Sequence, residues 1–203
     1  MTNISCAVIL ACAALSVSHA SLMATAVSPI ALTVRVHQSV DLPAALQTRA
    51  LAEAEAVLRA GLVSVRWDEC SPVDAAPRCQ VPLGPSELLL VVREGTRCPY
   101  GSGTLGRAWI GGHAAGVLAT VYVDCVAVLA RSAQTDLAVL LGRVIAHELG
   151  HLVMRTRRHA RRGLMRPYWT ADEVRRNRAA DWAFTPADVA AMQSDNLSFT
   201  NQR

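Results

Sequence analysis

The chain has 203 residues, a formal charge of +4, 52% hydrophobic residues and 18% charged residues. This length suits one domain with a substantial core, and the composition excludes disorder as the main state. Only the N-terminus carries a long uncharged apolar run, which excludes a chain crossing a membrane many times.

Residues 1–26 bear no charged side chain. An apolar run over 4–17 precedes small residues at Ser18, Ala20, Ala24 and Ala26, the pattern of a cleaved secretory signal. The run is shorter than the ~20 residues a membrane-spanning helix needs. A signal over 1–26, a single domain over 27–203, a secreted or periplasmic location and no stable membrane anchor are therefore expected. Without the signal, four of the six cysteines remain: Cys70, Cys79, Cys98 and Cys125. An even number in an exported chain suggests two disulfides, with three possible pairings. The pairing Cys70–Cys79 with Cys98–Cys125 is favoured, because the first would staple a proline-rich loop. No C-x-x-C pair is present, so a cysteine zinc site is not expected.

Along the chain, alternating β-branched residues predict a strand over 30–36 and another over 63–67. Between them, 42–62 is alanine-rich with Leu46, Ala50, Val57 and Leu58 on one face and Gly61 at its end, an amphipathic helix. Residues 68–85 form a loop, and the apolar run 87–93 a central strand. The segment 98–116 is glycine-rich, with a short strand over 105–110, and His113 is expected to be a loop histidine. A further strand is predicted over 117–124. A long helix follows over 135–154, with Asp136 near its positive end. Its apolar stripe runs through Leu137, Leu140, Leu141 and Val144 and continues onto His147, Glu148 and His151. Residues 170–182 read as a helix, and Thr185–Pro186 as the N-cap and first position of a last one.

All 20 basic residues are arginine. Residues 155–178 hold nine of them against Asp172 and Glu173, a net +7, while the remaining eleven face fourteen acids, a net −3. One strongly basic segment thus sits on a mildly acidic body.

His147-Glu148-Leu149-Gly150-His151 is the H-E-x-x-H pattern. Residues four apart share a helix face, so both imidazoles can approach one ion while the glutamate stands beside it. Three protein ligands leave a position open for water, and a neighbouring carboxylate takes that water's proton. His159, eight residues beyond His151, is the expected third ligand; Glu173 or Asp172 is the rival, at a spacing near that of thermolysin-like enzymes.

With Gly163-Leu164-Met165 following, the sequence resembles the metzincin clan of zinc metallopeptidases, whose pattern is H-E-x-x-H-x-x-G-x-x-H/D with a methionine turn beneath the metal. It departs at Met154, where the clan has glycine, and at Arg157, where the clan has the third ligand. The longer spacing to His159, with G-L-M close behind, resembles a bacterial metzincin-like group more than a named subfamily. The resemblance implies an α+β zincin fold: a twisted mixed sheet with an edge strand over the cleft, a long active-site helix, a Met-turn and a small helical C-terminal part. It further implies Zn2+, ligands His147, His151 and His159, Glu148 as catalytic base, Met165 as the apolar floor and Tyr168 as an oxyanion-stabilising group. The strand over 117–124 is expected at the sheet edge, pairing with an extended peptide. A monomeric zinc endopeptidase acting on peptides or proteins follows, with no nucleic acid partner expected. The alternatives are an inactive zinc-binding module of the same fold, and an arginine-driven binder of nucleic acid or an anionic surface. For the enzyme, the arginines flanking His159 would form a basic rim favouring acidic substrates.

Overall fold

The computed structural model describes residues 28–70, 77–95, 98, 104–111 and 116–200, with 195–200 as backbone alone. The expected signal segment, Gly112 and His113 lie outside the described residues. The elements are β1 (Ile30–Gln38), α1 (Ala44–Ala60), β2 (Val63–Cys70), β3 (Glu87–Arg93), β4 (Gly106–Trp109), β5 (Leu118–Tyr122), α2 (Val123–Ala133), α3 (Leu137–Val153), α4 (Ala171–Arg176) and α5 (Pro186–Thr200). Short 3-10 turns occupy Pro77–Cys79 and Ala179–Asp181.

The strands form one mixed sheet in the order β2-β1-β3-β5-β4. β2, β1, β3 and β5 are parallel, and β4 pairs antiparallel with β5. Parallel neighbours need a crossover, and α1 supplies it between β1 and β2. The run 87–93 is the central strand, as its apolar composition predicts. Leu88, Leu90 and Val92 on β3, Val34 and Val36 on β1 and Ala119 and Val121 on β5 are buried in one core with Leu140, Leu141, Val144 and Ile145 of α3. α1 and α3 pack closely, and Gly142 sets their spacing: a Cβ there would stand 2.5 Å from the Ala50 carbonyl oxygen.

Two sequence expectations are corrected here. The strand over 117–124 is not the sheet edge. β5 is flanked by β3 and β4, and the four-residue β4 forms the edge in its place. The strand also ends at Tyr122, and Val123–Ala133 is a helix. Its valines favour a strand locally, yet Val123, Val126, Ala130 and Ala133 are all buried, and their three- and four-residue spacing is helical. Gln134, at φ 52°, ends α2 in the left-handed conformation, and Asp136 then opens α3. The helix expected over 170–182 is broken at Asn177 (φ 46°), leaving only α4 and a 3-10 turn. Disulfides link Cys70 to Cys79 and Cys98 to Cys125. Among the described residues no helix is long and apolar enough to cross a membrane.

Candidate metal centre

α3 begins on a firm cap. The Asp136 carboxylate accepts the Ala138 and Val139 N–H groups at 2.8 and 3.3 Å. Arg49, 2.7 Å away, is the main cause holding that carboxyl below its usual range. Three turns later the apolar stripe delivers His147, Glu148 and His151 to the interior at 7%, 6% and 5% exposure. Such burial is costly for polar groups without partners, so their contacts determine what the cluster can do.

The backbone partners both helical imidazoles. His147 Nδ1–H donates to the Leu164 carbonyl at 2.8 Å, and His151 Nδ1–H donates to the Thr156 carbonyl at 2.8 Å. A carbonyl can only accept, so each Nδ1 carries the proton and each Nε2 is left with its lone pair. These Nε2 atoms face one another at 3.1 Å, and His159 Nε2 stands 3.2 Å from that of His151. The ligand atoms of all three lie within 4.8 Å of one another.

The chain reaches this arrangement through a tight reversal. α3 stops at Val153, and Arg155 adopts the left-handed conformation at φ 47°. The Thr156 N–H then returns to the His151 carbonyl at 3.1 Å. The same residue thus clasps both the backbone and the ring of His151. The loop swings out past Arg157 and Arg158 and brings His159 back over the helix. A second turn at Gly163 (φ 73°) carries Leu164 and Met165 beneath the cluster, at 0% and 1% exposure. Backbone bonds from Ala160 to Met165 and from Leu164 to Ala183 fix this turn.

Burial, with the neighbouring His151 second, pushes His147 down to about 3. Burial also lowers His151 and His159. The neutral form of all three imidazoles is thereby favoured, and the Nε2 lone pairs of His147 and His151 converge with His159 Nε2 on one point. Lone pairs in this arrangement repel unless a cation lies between them. Two nitrogens bound tetrahedrally at the usual ~2.0–2.1 Å from zinc are about 3.3 Å apart, close to the spacing found here. The donor set therefore fits an imidazole-preferring divalent ion such as zinc.

Glu148 stands beside this point. Burial pushes its carboxyl up to about 8, against the opposing effect of the Ala108 N–H that it accepts from. Gly106 on the edge strand makes room: a Cβ there would lie 2.7 Å from the Glu148 Cγ and Oε1. The histidines and Glu148 line a cleft of about 770 Å³, whose walls also include β4, Tyr168 and Trp169, and Val128 and Leu129 of α2.

The rival acidic residues are engaged elsewhere. Glu173 closes a capping box with Thr170 and pairs with Arg166 at 2.5 Å. Asp172 pairs with Arg175 at 2.8 Å. Tyr168 lies on the cleft rim, 74% exposed. Its neighbour Trp169, which the sequence reading passed over, packs edge-on against His147 with ring centroids 5.4 Å apart. Trp169 in turn meets Trp182 at 5.1 Å, and the Arg143 guanidinium lies 4.4 Å from the Trp182 ring centre. A signal for Trp169 was its place four residues past Met165 in a segment already assigned to the metal centre. Arg143, one helical turn before His147, was open to the same argument.

No family model matches the sequence, and no curated protein matches it. Among solved structures the chain is similar to archaemetzincin from Methanopyrus kandleri, with 18% identity over 83% of this chain and 96% of that one, at a TM-score of 0.47.

Proposed function

We propose that the chain is a zinc-dependent endopeptidase with His147, His151 and His159 as metal ligands. One observation carries this reading: three imidazoles, two of them tautomerically fixed by backbone carbonyls, aim Nε2 at a shared point beside a buried carboxylate. When bound there, zinc supplies Lewis-acid activation of a water and of the scissile carbonyl.

The chain's own residues then do the following. Glu148 accepts the attacking water's proton on a carboxylate oxygen and passes it to the leaving nitrogen. Its raised proton affinity suits both halves of that task, since a base works best with a pKa near the working pH. The Ala108 N–H orients the carboxylate. The Leu164 and Thr156 carbonyls keep the imidazoles from rotating, the usual outer partnership of metal-binding histidines. Met165 forms the apolar floor in the manner of a Met-turn. Tyr168 closes from the rim onto the developing oxyanion. The outward edge of β4 receives an extended peptide as an added strand.

Export of the enzyme agrees with two disulfides in the fold. The test is hydrolysis of casein and a mixed peptide library by zinc-replete protein, with and without chelator. Chelator-sensitive cleavage, lost in Glu148→Ala, is expected. A zinc-replete protein no more active than Glu148→Ala on any peptide overturns the assignment.

A further inference from the structure

The strand register of β4 places an arginine on the path a peptide would take. The Tyr122 N–H donates to the Leu105 carbonyl at 2.9 Å, so odd-numbered β4 positions turn their backbone groups toward β5. Gly106, Ala108 and Ile110 therefore turn theirs outward. Two of these outward groups are already held: the Ala108 N–H by Glu148, and the Ile110 carbonyl by Arg157 Nη2 at 2.5 Å. Arg157 comes from the ligand loop, between His151 and His159, and bridges that loop to the sheet edge. A strand added antiparallel to β4 has its N-terminal residues toward Ile110. The backbone group that Arg157 holds thus lies two residues, about 6–7 Å along the strand, from the one that Glu148 holds, toward the N-terminal side of the scissile bond.

Among the described residues, the charge around it is uncompensated. A guanidinium has five N–H donors, and Ile110 accepts from one of Arg157's. Among the described residues, no carboxylate lies within ion-pair distance of Arg157, Arg158, Arg161 or Arg162, all of which are exposed. The acids nearest in sequence are committed: Glu173 to Arg166 and Asp172 to Arg175. Among the described residues lining the cleft, the sole carboxylate is the buried Glu148, whereas Arg107 and Arg157 both contribute to the wall. A positive cleft mouth concentrates anionic ligands, and an arginine held at one N–H can still grip a carboxylate with two others.

We infer that Arg157 is a specificity-determining residue that reads an acidic side chain two to three residues N-terminal to the scissile bond, so that the substrates are acidic peptides. The inference rests on the peptidase reading of the same site. It favours a peptide over a nucleic acid because Arg157, without a carboxylate partner among the described residues, lines the cleft wall and holds the strand two residues from the group that Glu148 holds.

Two measurements separate this inference from the reading beneath it. The first is kcat/KM on peptides carrying Asp, Ala or Lys at each position around one cleavable bond. The wild type should prefer Asp over Lys by tenfold or more at the stated position. Arg157→Ala should erase that preference, and Arg157→Glu should reverse it toward Lys. The second needs no turnover: binding of labelled acidic and neutral peptides to zinc-loaded Glu148→Gln, by fluorescence anisotropy, with and without Arg157→Ala. A tenfold affinity difference that disappears with Arg157 supports the inference even where cleavage is too slow to follow. Equal affinities overturn it, as does an acidic preference that survives Arg157→Ala. A single-stranded oligonucleotide that outcompetes the acidic peptide, and still does so after Arg157→Ala, assigns the arginines to nucleic acid and likewise overturns it.

Discussion

His147 and His151 are 7% and 5% exposed on a capped, fully packed helix, with each Nδ1 bound to a carbonyl. His159 stands exposed on an irregular loop, its ring held by an Nε2 contact and edge-on packing with His151 and by stacking on His147. The helical half is organised before any ion arrives, because its orientation is fixed by interior packing. The loop half is placed by one left-handed residue, Arg155, and by the Thr156 clasp. A centre built this way should separate the strength of metal binding from the adaptability of the substrate side, since the loop bearing His159 also bears Arg157.

The largest effect that tests this contrast is on metal content. His147→Ala removes a preorganised donor, so zinc recovered after dialysis should fall from about one per chain to background, and hydrolysis with it. His159→Ala should keep measurable zinc at higher free-ion concentration, because two fixed imidazoles remain. Equal loss in both variants, measured by competition with a chromophoric chelator, would show that the helical pair has no advantage.

Next in size is the separation of metal from proton transfer. Glu148→Gln should retain zinc while lowering kcat by about 10²–10⁴, the usual worth of a positioned acid–base group. Gly106→Ala reaches the same carboxylate from the other side. Its Cβ would sit 2.7 Å from Glu148 Oε1, so the carboxylate must shift away from Ala108. A lower kcat at unchanged zinc content is expected. Unchanged kcat would mean that Glu148 acts from a position the edge strand does not control.

Much of the candidate site was legible in the sequence because helical periodicity ties chemistry to burial. The stripe from Leu137 to Val144 arrives on His147, Glu148 and His151, and the long apolar run 87–93 marks the central strand. Sequence gave less on the parts set by non-local pairing. The sheet edge falls on Gly106–Trp109, four residues in a glycine-rich stretch, and only the antiparallel register with β5 identifies it. The valines of Val123–Ala133 carry strand propensity that burial against the core overrides. His159 was expected from its place eight residues beyond His151, but the turn that delivers it was not legible: it rests on Arg155, a residue type that disfavours the left-handed region and so gives no local signal. Trp169 was hidden for a related reason, since its partner His147 is 22 residues away and only the folded turn joins them.

The smallest effect concerns the segment that supports Trp169. The Thr170–Glu173 capping box starts α4 immediately after that indole, so it anchors the wall behind His147. Thr170→Ala should cost about 1 kcal/mol, the usual worth of an N-cap. Acid should act on the same contact. The backbone N–H of Thr170, followed by its hydroxyl and Arg166, holds the Glu173 carboxyl down to about 2 against an ordinary 4.5. The folded-state value lies below the unfolded one, so in acid the unfolded chain takes up the proton first. The stabilisation is thus complete above pH 4.5 and is lost as pH falls from there through about 2. Urea midpoints of metal-free wild type and Glu173→Gln, compared between pH 7 and pH 2.5, should differ most at the upper end and converge in acid. A gap that stays constant with pH would place the cap's contribution in its hydrogen-bond geometry, with no share from the ionised carboxylate.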